Sequence, residues 1–241
     1  MITVRGLSKK FKAFEAVKRI SFEAREGEVL GLLGENGAGK TTTLRMLATM
    51  LKPTEGTAEI NGFDLLKQPD RVRGEIGILF GGEVGIYDRL TARENIRYFA
   101  ELNNMEGSAI DKRIDELADM LDMKDYIDKR VGKFSRGMKQ KVSIARAIVH
   151  NPKVMLFDEP TSGLDVTSTR IIHEFIEDCR KQGKIIIFSS HTMSEVEKLC
   201  DRIVIIHKGV IVADGDIPTL RKHFNNEDLE DVFIELVGGK R

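Results

Sequence analysis

Residues 34–41 constrain the fold of this chain more than any other segment, and they read Gly-Glu-Asn-Gly-Ala-Gly-Lys-Thr. An apolar run, residues 29–33, comes before them, and a stretch with helical character, residues 42–51, comes after them. Glycines at these positions let successive backbone N–H groups point at an anion, and the helix N-terminus adds partial positive charge. An ordinary glycine-rich turn rarely needs a lysine directed into it. The spacing therefore predicts a loop that binds the phosphates of a nucleotide.

We expect each residue of this loop to contact the nucleotide. Lys40 is expected to reach the β- and γ-phosphates, and Thr41 is expected to bind Mg²⁺. The full set of nucleotide contacts expected from this loop is Gly34, Glu35, Asn36, Gly37, Ala38, Gly39, Lys40, Thr41 and Thr42.

Composition limits the classes of partner. The 241 residues are 41% hydrophobic and 32% charged, which is ordinary for a globular chain with one large or two small domains. Lys plus Arg and Asp plus Glu each number 38, so no basic excess points to a nucleic acid partner. No stretch approaches the ~20 apolar residues of a spanning helix, and the N-terminus lacks a signal-peptide core. Any membrane component is therefore expected to be another polypeptide. The chain has two cysteines, and because their spacing is not that of a metal site, they fit a reducing cytoplasm.

Hydrophobic periodicity predicts an α/β core with a helical insert. Short apolar runs, broken at Gly6, alternate through the first 30 residues, and buried-strand patterns recur at residues 154–157, 185–188 and 203–206. Between these regions Thr91 and Glu94 form a capping-box pattern, and one helical face carries Ile110, Ile114, Leu117 and Leu121. We expect a core from residues 1–85 and 152–225, a helical subdomain from residues 86–151, and a C-terminal tail from residues 226–241. The apolar part of that tail, residues 232–236, is predicted as a short helix or an edge strand.

Two acids, Asp158 and Glu159, end the apolar run at residues 154–157. In a phosphate-loop fold this strand end brings a carboxylate beside Thr41 and the metal. Asp158 is therefore expected to hold Mg²⁺, directly or through water, and Glu159 to orient or deprotonate the attacking water. The alternative is a pair of solvated acids at a strand end, with no chemical role.

A third motif, Phe-Ser-Arg-Gly-Met at residues 134–138, lies ahead of an expected helix at residues 138–150. Here the chain resembles the ATP-binding cassette family, whose signature reads LSGGQ; Ser135 and Gly137 match, while Arg136 and Met138 are substitutions. The resemblance implies a P-loop NTPase fold of the α/β class, with a RecA-like parallel sheet core, an N-terminal antiparallel β-subdomain and an inserted α-helical subdomain. It also implies that the chain binds ATP and Mg²⁺.

The same resemblance implies that two copies of the chain pair head to tail when ATP is bound. The hydroxyl of Ser135 and the N–H of Gly137, flanked by Arg136 and Met138, would then close over the γ-phosphate that the other copy holds. A glycine-containing helix cap without a ligand is the alternative.

Three further positions match the family. Asp165, at the end of Thr-Ser-Gly-Leu-Asp, matches the D-loop, which makes a contact across the subunit boundary. His191 follows an apolar strand and matches the switch histidine, which contacts the γ-phosphate and the water beside Glu159. Phe11 stands where the family stacks an aromatic ring on adenine, and Phe14 is the competing candidate.

The chain departs from the family at the Q-loop, where a glutamine normally reaches Mg²⁺ and relays the nucleotide state to the membrane subunit. Gly81 or Gly82 aligns with that glutamine, and Glu83 is the nearest polar side chain. The relay is then expected to use flexible backbone or Glu83. Ile86 and Tyr87, just beyond, are either buried or part of the surface that receives a helix of the membrane subunit.

The resemblance extends over about residues 1–220 and implies the ATP-hydrolysing motor subunit of a bacterial exporter. Such a subunit works at the cytoplasmic face of the membrane and drives a separate transmembrane permease. Within the family, residues 33–46, 80–83 and 86–96 look most like a cassette of bacterial sodium extrusion. Export of a drug or another substrate is the alternative. A soluble cassette that acts on nucleic acid or ribosomes is less consistent with zero net charge and a short helical insert.

Overall fold

Two β-sheets organise the structure, which a computed structural model describes for residues 1–80 and 85–238. The strands are β1 (Ile2–Phe11), β2 (Phe14–Ala24), β3 (Val29–Leu33), β4 (Glu55–Ile60), β5 (Phe63–Asp64), β6 (Ile76–Leu79), β7 (Val154–Asp158), β8 (Ile185–Ser190), β9 (Arg202–His207) and β10 (Val210–Asp216). One sheet is antiparallel with the order β2-β1-β4-β5, and the other has the order β10-β9-β3-β8-β7-β6. In the second sheet all pairs are parallel except β10 with β9. The predicted parallel core and N-terminal antiparallel sheet are therefore confirmed.

Helices connect and cover these strands. They are α1 (Lys40–Leu47), α2 (Pro69–Glu75), α3 (Ala92–Leu102), α4 (Gly107–Met120), α5 (Arg136–Ile148), α6 (Val166–Lys181), α7 (Met193–Leu199), α8 (Ile217–Phe224) and α9 (Leu229–Gly238). Within the part of the chain that the structure describes, each helix is too short or too polar to cross a membrane.

The central strand β3 shows why the sequence forms a sheet buried on both faces. All of its residues are buried, and side chains alternate between two hydrophobic clusters: Val29 and Leu33 belong to one, Leu30 and Leu32 to the other. Successive strand residues point to opposite faces, so a run without polar residues fits only a strand that is covered on both sides. The phosphate loop therefore begins at the end of a strand that is buried along its whole length.

The order of the parallel strands brings three polar segments to one edge. Leu33, the last residue of β3, pairs with Ser190 of β8, and Asp158 of β7 pairs with Ser189 of β8. Parallel strands have their carboxyl ends at the same edge of a sheet, which is where α/β proteins bind ligands. The loops that follow β3, β7 and β8 consequently meet there.

The region between β6 and β7 is helical, as its periodicity predicts. Thr91 caps α3 in a capping box, because its hydroxyl accepts from the Glu94 N–H at 3.1 Å and its own N–H donates to the Glu94 carboxylate at 2.7 Å. The apolar face of α4, predicted from Ile110, Ile114 and Leu117, is buried. The exact limits of the subdomains remain a prediction.

Local geometry corrects several sequence-based boundaries. β1 continues through Gly6, where a break was expected, because Gly6 adopts a φ of 56° and the strand shifts register there. α1 begins at Lys40 rather than at residue 42, and α5 begins at Arg136 rather than at residue 138, directly after its cap Ser135. The apolar part of the C-terminal tail is a helix, α9, and not an edge strand.

Candidate functional site

The phosphate loop joins β3 to α1 and wraps around its own lysine. The Lys40 ammonium donates to the carbonyl oxygen of Gly34 at 2.6 Å and to that of Glu35 at 3.2 Å, and only 5% of the residue is exposed. Burial lowers the pKa of Lys40, although the nearby carboxylates of Glu159 and Asp158 oppose that shift. A cation that donates to neutral carbonyl oxygens can exchange them for phosphate oxygens, which are stronger partners.

Gly39 allows the sharp entry into α1. It is the N-cap of the helix with a φ of 115°, and a Cβ at this position would lie 2.7 Å from the carbonyl oxygen of Ala16 in β2. Few L-residues adopt such a φ, and none fits so close to a backbone oxygen. The loop is thereby fixed against the antiparallel sheet, with its N–H groups near the start of α1.

Asp158 connects the phosphate loop to the neighbouring strands. Its Oδ2 accepts from the Thr41 hydroxyl at 2.7 Å, its Oδ1 accepts from the Ser189 hydroxyl at 2.6 Å, and the residue is buried. Carboxylate and hydroxyl oxygens are the ligand types that Mg²⁺ prefers. In the described residues no group of three or more His, Cys, Asp or Glu could hold a metal. The Thr41 hydroxyl and the Asp158 carboxylate are oxygen donors that fit Mg²⁺, which usually takes one or two protein ligands together with phosphates and waters.

Glu159 and His191 form a pair at the mouth of the site. His191 Nδ1 lies 3.2 Å from Glu159 Oε1, with 56% of the histidine side chain and 28% of the glutamate side chain exposed. Glu159 has a φ of 48°, and its N–H donates to the carbonyl and hydroxyl oxygens of Ser189 at 3.1 and 3.0 Å. The backbone is therefore turned so that a carboxylate and an imidazole face the same solvent-accessible space.

Both aromatic candidates lie beside the phosphate loop. Phe11 and Phe14 line a cavity of about 260 Å³ together with Lys40, Thr41 and Glu159. They are 44% and 64% exposed, so each presents a ring face that a flat base could cover. The geometry leaves the choice between Phe11 and Phe14 open.

The signature residues lie against the D-loop of the same chain rather than in the phosphate-loop cavity. Ser135 caps α5 by accepting from the Met138 N–H at 3.2 Å, and the Arg136 guanidinium packs on Gly163. Gly137 is so close to α6 that a Cβ there would lie 2.2 Å from the Ser168 hydroxyl. Of the residues that line the phosphate-loop cavity in the described part of the chain, none belongs to this motif.

Asp165, the D-loop candidate, is the N-cap of α6. It accepts from the Ser168 N–H at 2.9 Å and from the Ser168 hydroxyl at 2.7 Å, and these bonds lower the pKa of its carboxyl. Asp165 therefore orders the start of α6 just where Gly137 contacts it.

The predicted Q-loop positions Gly81, Gly82 and Glu83 lie outside the described residues. Of the two residues that follow, Ile86 is partly buried against the hydrophobic core, whereas Tyr87 is 45% exposed and packs edge-to-face on Tyr98 at 5.5 Å. Ile86 therefore fits the buried alternative, and Tyr87 fits the surface alternative.

Two residues that connect these parts were not predicted. Ser189 bridges Asp158 and the Glu159 backbone, and Gln140 of α5 donates to the Pro160 carbonyl oxygen at 2.5 Å. A polar residue inside an otherwise apolar strand is a signal that could have indicated Ser189. No pattern of spacing identifies Gln140, because its partner is a backbone atom.

This fold and site define a phosphate-loop nucleotide-binding protein. Comparison with known families narrows the class, since the profile of the ABC transporter family matches residues 17–162. The chain belongs to the ABC transporter family, and it is an ATP-binding subunit and an ATPase of that family.

Similar proteins extend over nearly the whole chain. The ABC transporter ATP-binding protein NatA of Bacillus subtilis is 48% identical over 99% of both chains. The bacitracin transport ATP-binding protein BcrA of Bacillus licheniformis is 39% identical over 95% of this chain and 74% of its own. A solved ATP-binding subunit of an ABC transporter has a TM-score of 0.90 and 29% identity over 98% of this chain and 99% of its own. A dimeric ATP-binding cassette in a post-hydrolysis state, bound to ADP and Pi, has a TM-score of 0.81 and 26% identity. The match covers 90% of this chain and 99% of that cassette.

The Gly39→Ala variant tests the close contact that fixes the loop. Alanine would be strained at this φ and would collide with the Ala16 carbonyl oxygen, so we expect the free energy of unfolding to fall by roughly 3 kcal/mol or more. Gly37→Ala is the matched control, because Gly37 also has a positive φ, 81°, but a Cβ added there would meet nothing within 4 Å. The Gly37→Ala variant should lose only about 1–2 kcal/mol of unfolding free energy. Denaturant unfolding measures the loss in both variants, and equal losses would contradict a tight contact between Gly39 and the Ala16 carbonyl oxygen.

Proposed function

We propose that this chain is the ATP-hydrolysing motor subunit of a bacterial exporter, with the catalytic site at the carboxyl edge of its parallel sheet. The observation that carries the proposal is a continuous set of contacts from Thr41 through Asp158 and Ser189 to Glu159 and His191. This set of contacts supports the proposal because it joins the loop around Lys40, the oxygen pair of Thr41 and Asp158, and the acid–imidazole pair of Glu159 and His191 at adjoining strand ends. Those are the parts that hydrolysis of a nucleoside triphosphate requires.

ATP would be held by the loop and by one aromatic ring. Lys40 would exchange the carbonyl oxygens of Gly34 and Glu35 for the β- and γ-phosphates, and the N–H groups at the start of α1 would bind the same anion. Phe11 or Phe14 would stack on adenine. Thr41 and Asp158 would hold Mg²⁺, which neutralises charge on the phosphates when it is bound.

Glu159 and His191 would carry the chemical step. The Glu159 carboxylate would orient a water molecule and accept its proton as the water attacks the γ-phosphate, and the bond from the γ-phosphorus to the β-phosphate oxygen would break to release ADP. His191, 3.2 Å from that carboxylate, would keep it directed at the water and would contact the γ-phosphate. Glu159 and His191 line one cavity of about 430 Å³, which has room for the water molecule and the γ-phosphate.

Hydrolysis would require a second copy of the chain. Ser135 and Gly137 lie outside the phosphate-loop cavity and at the N-terminus of α5, where N–H groups favour an anion. These groups would meet the γ-phosphate held by the partner, and Asp165, which orders the adjoining start of α6, would contact the opposite site. The dimeric cassette with ADP and Pi bound supports this arrangement by analogy.

The cargo would be chosen by a separate transmembrane permease, and we propose Na⁺ as that cargo. The similarity to NatA over the full chain supports this choice, together with the sequence blocks typical of sodium-extrusion cassettes. Drug export is the second candidate, favoured by the 39% identity to a bacitracin transport protein. The motor would then act at the cytoplasmic face of the membrane, and nucleic acid would not be a partner.

Proteoliposomes that contain the chain with its permease distinguish the two cargoes. ATP supplied on the cassette side should move ²²Na⁺ across the membrane, because the motor powers whichever permease it joins. Movement of bacitracin without movement of Na⁺ would contradict sodium export and would leave the hydrolytic site unaffected.

The Glu159→Gln variant tests the hydrolytic mechanism. Glutamine keeps the size of the side chain but cannot accept the proton, so the ATPase rate should fall by at least roughly 100-fold. MgATP should still bind, and because the ATP-bound dimer no longer turns over, light scattering should show the 27.1 kDa mass doubling only when MgATP is present.

Glu174→Gln is the matched control for this variant. It makes the same chemical change on α6 at an exposed ion pair with Arg170, so the ATPase rate should stay near that of the unmodified chain. Full ATPase activity of Glu159→Gln would defeat the assigned role of Glu159. If Glu159→Gln binds MgATP but remains monomeric, the proposal that two copies of the chain form the site is wrong.

A further inference from the structure

A buried carboxylate, that of Glu195, lies behind the proposed catalytic pair. Glu195 belongs to α7, and its side chain is only 13% exposed. Charged side chains this buried need hydrogen-bonding partners, because desolvation of an ion is costly. The partners of Glu195 therefore show which parts of the molecule it holds together.

Those partners come from three different segments. Glu195 Oε1 lies 3.1 Å from His173 Nε2 of α6, and Oε2 accepts from the Ser190 hydroxyl at 2.9 Å at the end of β8. The Thr161 side chain, in the loop that follows β7, lies beside this carboxylate in the same cavity and lowers its pKa. His173, Ser190 and Thr161 are themselves buried. One carboxylate thus joins α6, α7 and the two loops that carry the site.

Two of these contacts lie directly beside the residues assigned to chemistry. Ser190 precedes His191, and its hydroxyl also accepts from the Thr192 N–H at 3.0 Å, so the turn that holds His191 is fixed on both sides. Thr161 comes two residues after Glu159. Glu195 therefore fixes the His191 turn and the Glu159 loop relative to each other.

The electrostatics of this cluster favour the ionised form of the carboxylate. Burial by itself raises the pKa of Glu195, but the interactions with His173, Thr161 and Ser190 outweigh burial, so the pKa lies below its ordinary value. Glu195 lines the same cavity of about 430 Å³ as Glu159 and His191, which connects the cluster to the site.

We propose that Glu195 is a positioning residue for ATP hydrolysis, which sets the distance between Glu159 and His191 through its hydrogen bond from Ser190 and its place beside Thr161. The inference rests on the proposed catalytic roles of Glu159 and His191. Small displacements of reacting groups are expensive in rate, since about 1 Å of misplacement costs on the order of 100-fold. Loss of the Glu195 carboxylate should therefore slow the chemical step without removing any group that binds ATP.

The test compares Glu195→Ala, Glu195→Gln and Glu197→Ala at a temperature well below unfolding, with rates normalised to bound MgATP. Alanine at position 195 should lower kcat by roughly 10- to 100-fold and leave the KM for ATP within about threefold. The amide oxygen of glutamine can still accept from the Ser190 hydroxyl, so Glu195→Gln should restore kcat to within about threefold. Glu197 lies on the same helix but pairs with Arg221 of α8, so Glu197→Ala should leave kcat unchanged.

The outcomes separate this inference from the function on which it rests. A normal kcat for Glu195→Ala, alongside an inactive Glu159→Gln variant, would overturn the positioning role and leave the hydrolytic site intact. Loss of MgATP binding at unchanged kcat would also overturn it, since a merely structural role reduces the number of working sites and not their rate. Should Glu195→Ala fail to fold, Ser190→Ala removes the donor at 2.9 Å with little change of shape and should lower kcat roughly tenfold or more; an unchanged kcat there would contradict the proposal.

Discussion

The shared carboxylate of Asp158 is the contact on which the rest of the site depends. One oxygen accepts from Thr41 at the start of α1, and the other accepts from Ser189 at the end of β8. A buried carboxylate whose two oxygens each have a donor holds those donors at fixed distances. The phosphate loop, the strand that ends in Glu159 and the strand that leads to His191 are thereby fixed as one unit.

Contacts from α5 connect the helical region to this unit. Gln140 donates to the carbonyl oxygen of Pro160, directly after Glu159, and Arg136 packs on Gly163. Because these contacts join α5 to the loop that follows Glu159, they connect the surface proposed to meet a second copy with the proposed catalytic site.

The sequence predicts the parallel core and the phosphate loop well, because both depend on local patterns. The loop needs glycines at set positions around Lys40, and β3 needs an unbroken apolar run. Helix starts at Lys40 and Arg136 were misplaced by two residues, since the cap geometry at Gly39 and Ser135 decides them. The contacts of Ser189 and Glu195 were not predicted, because they form only when the strands and helices pack together.

The most direct test is a crystal structure of the Glu159→Gln variant with MgATP. The account predicts that Lys40 leaves the carbonyl oxygens of Gly34 and Glu35 for the phosphates, and that Mg²⁺ lies between the Thr41 and Asp158 oxygens. It also predicts that Ser135 and Gly137 of a second copy contact the γ-phosphate. A triphosphate bound by one copy alone, with the direct Thr41 to Asp158 hydrogen bond still in place, would contradict it.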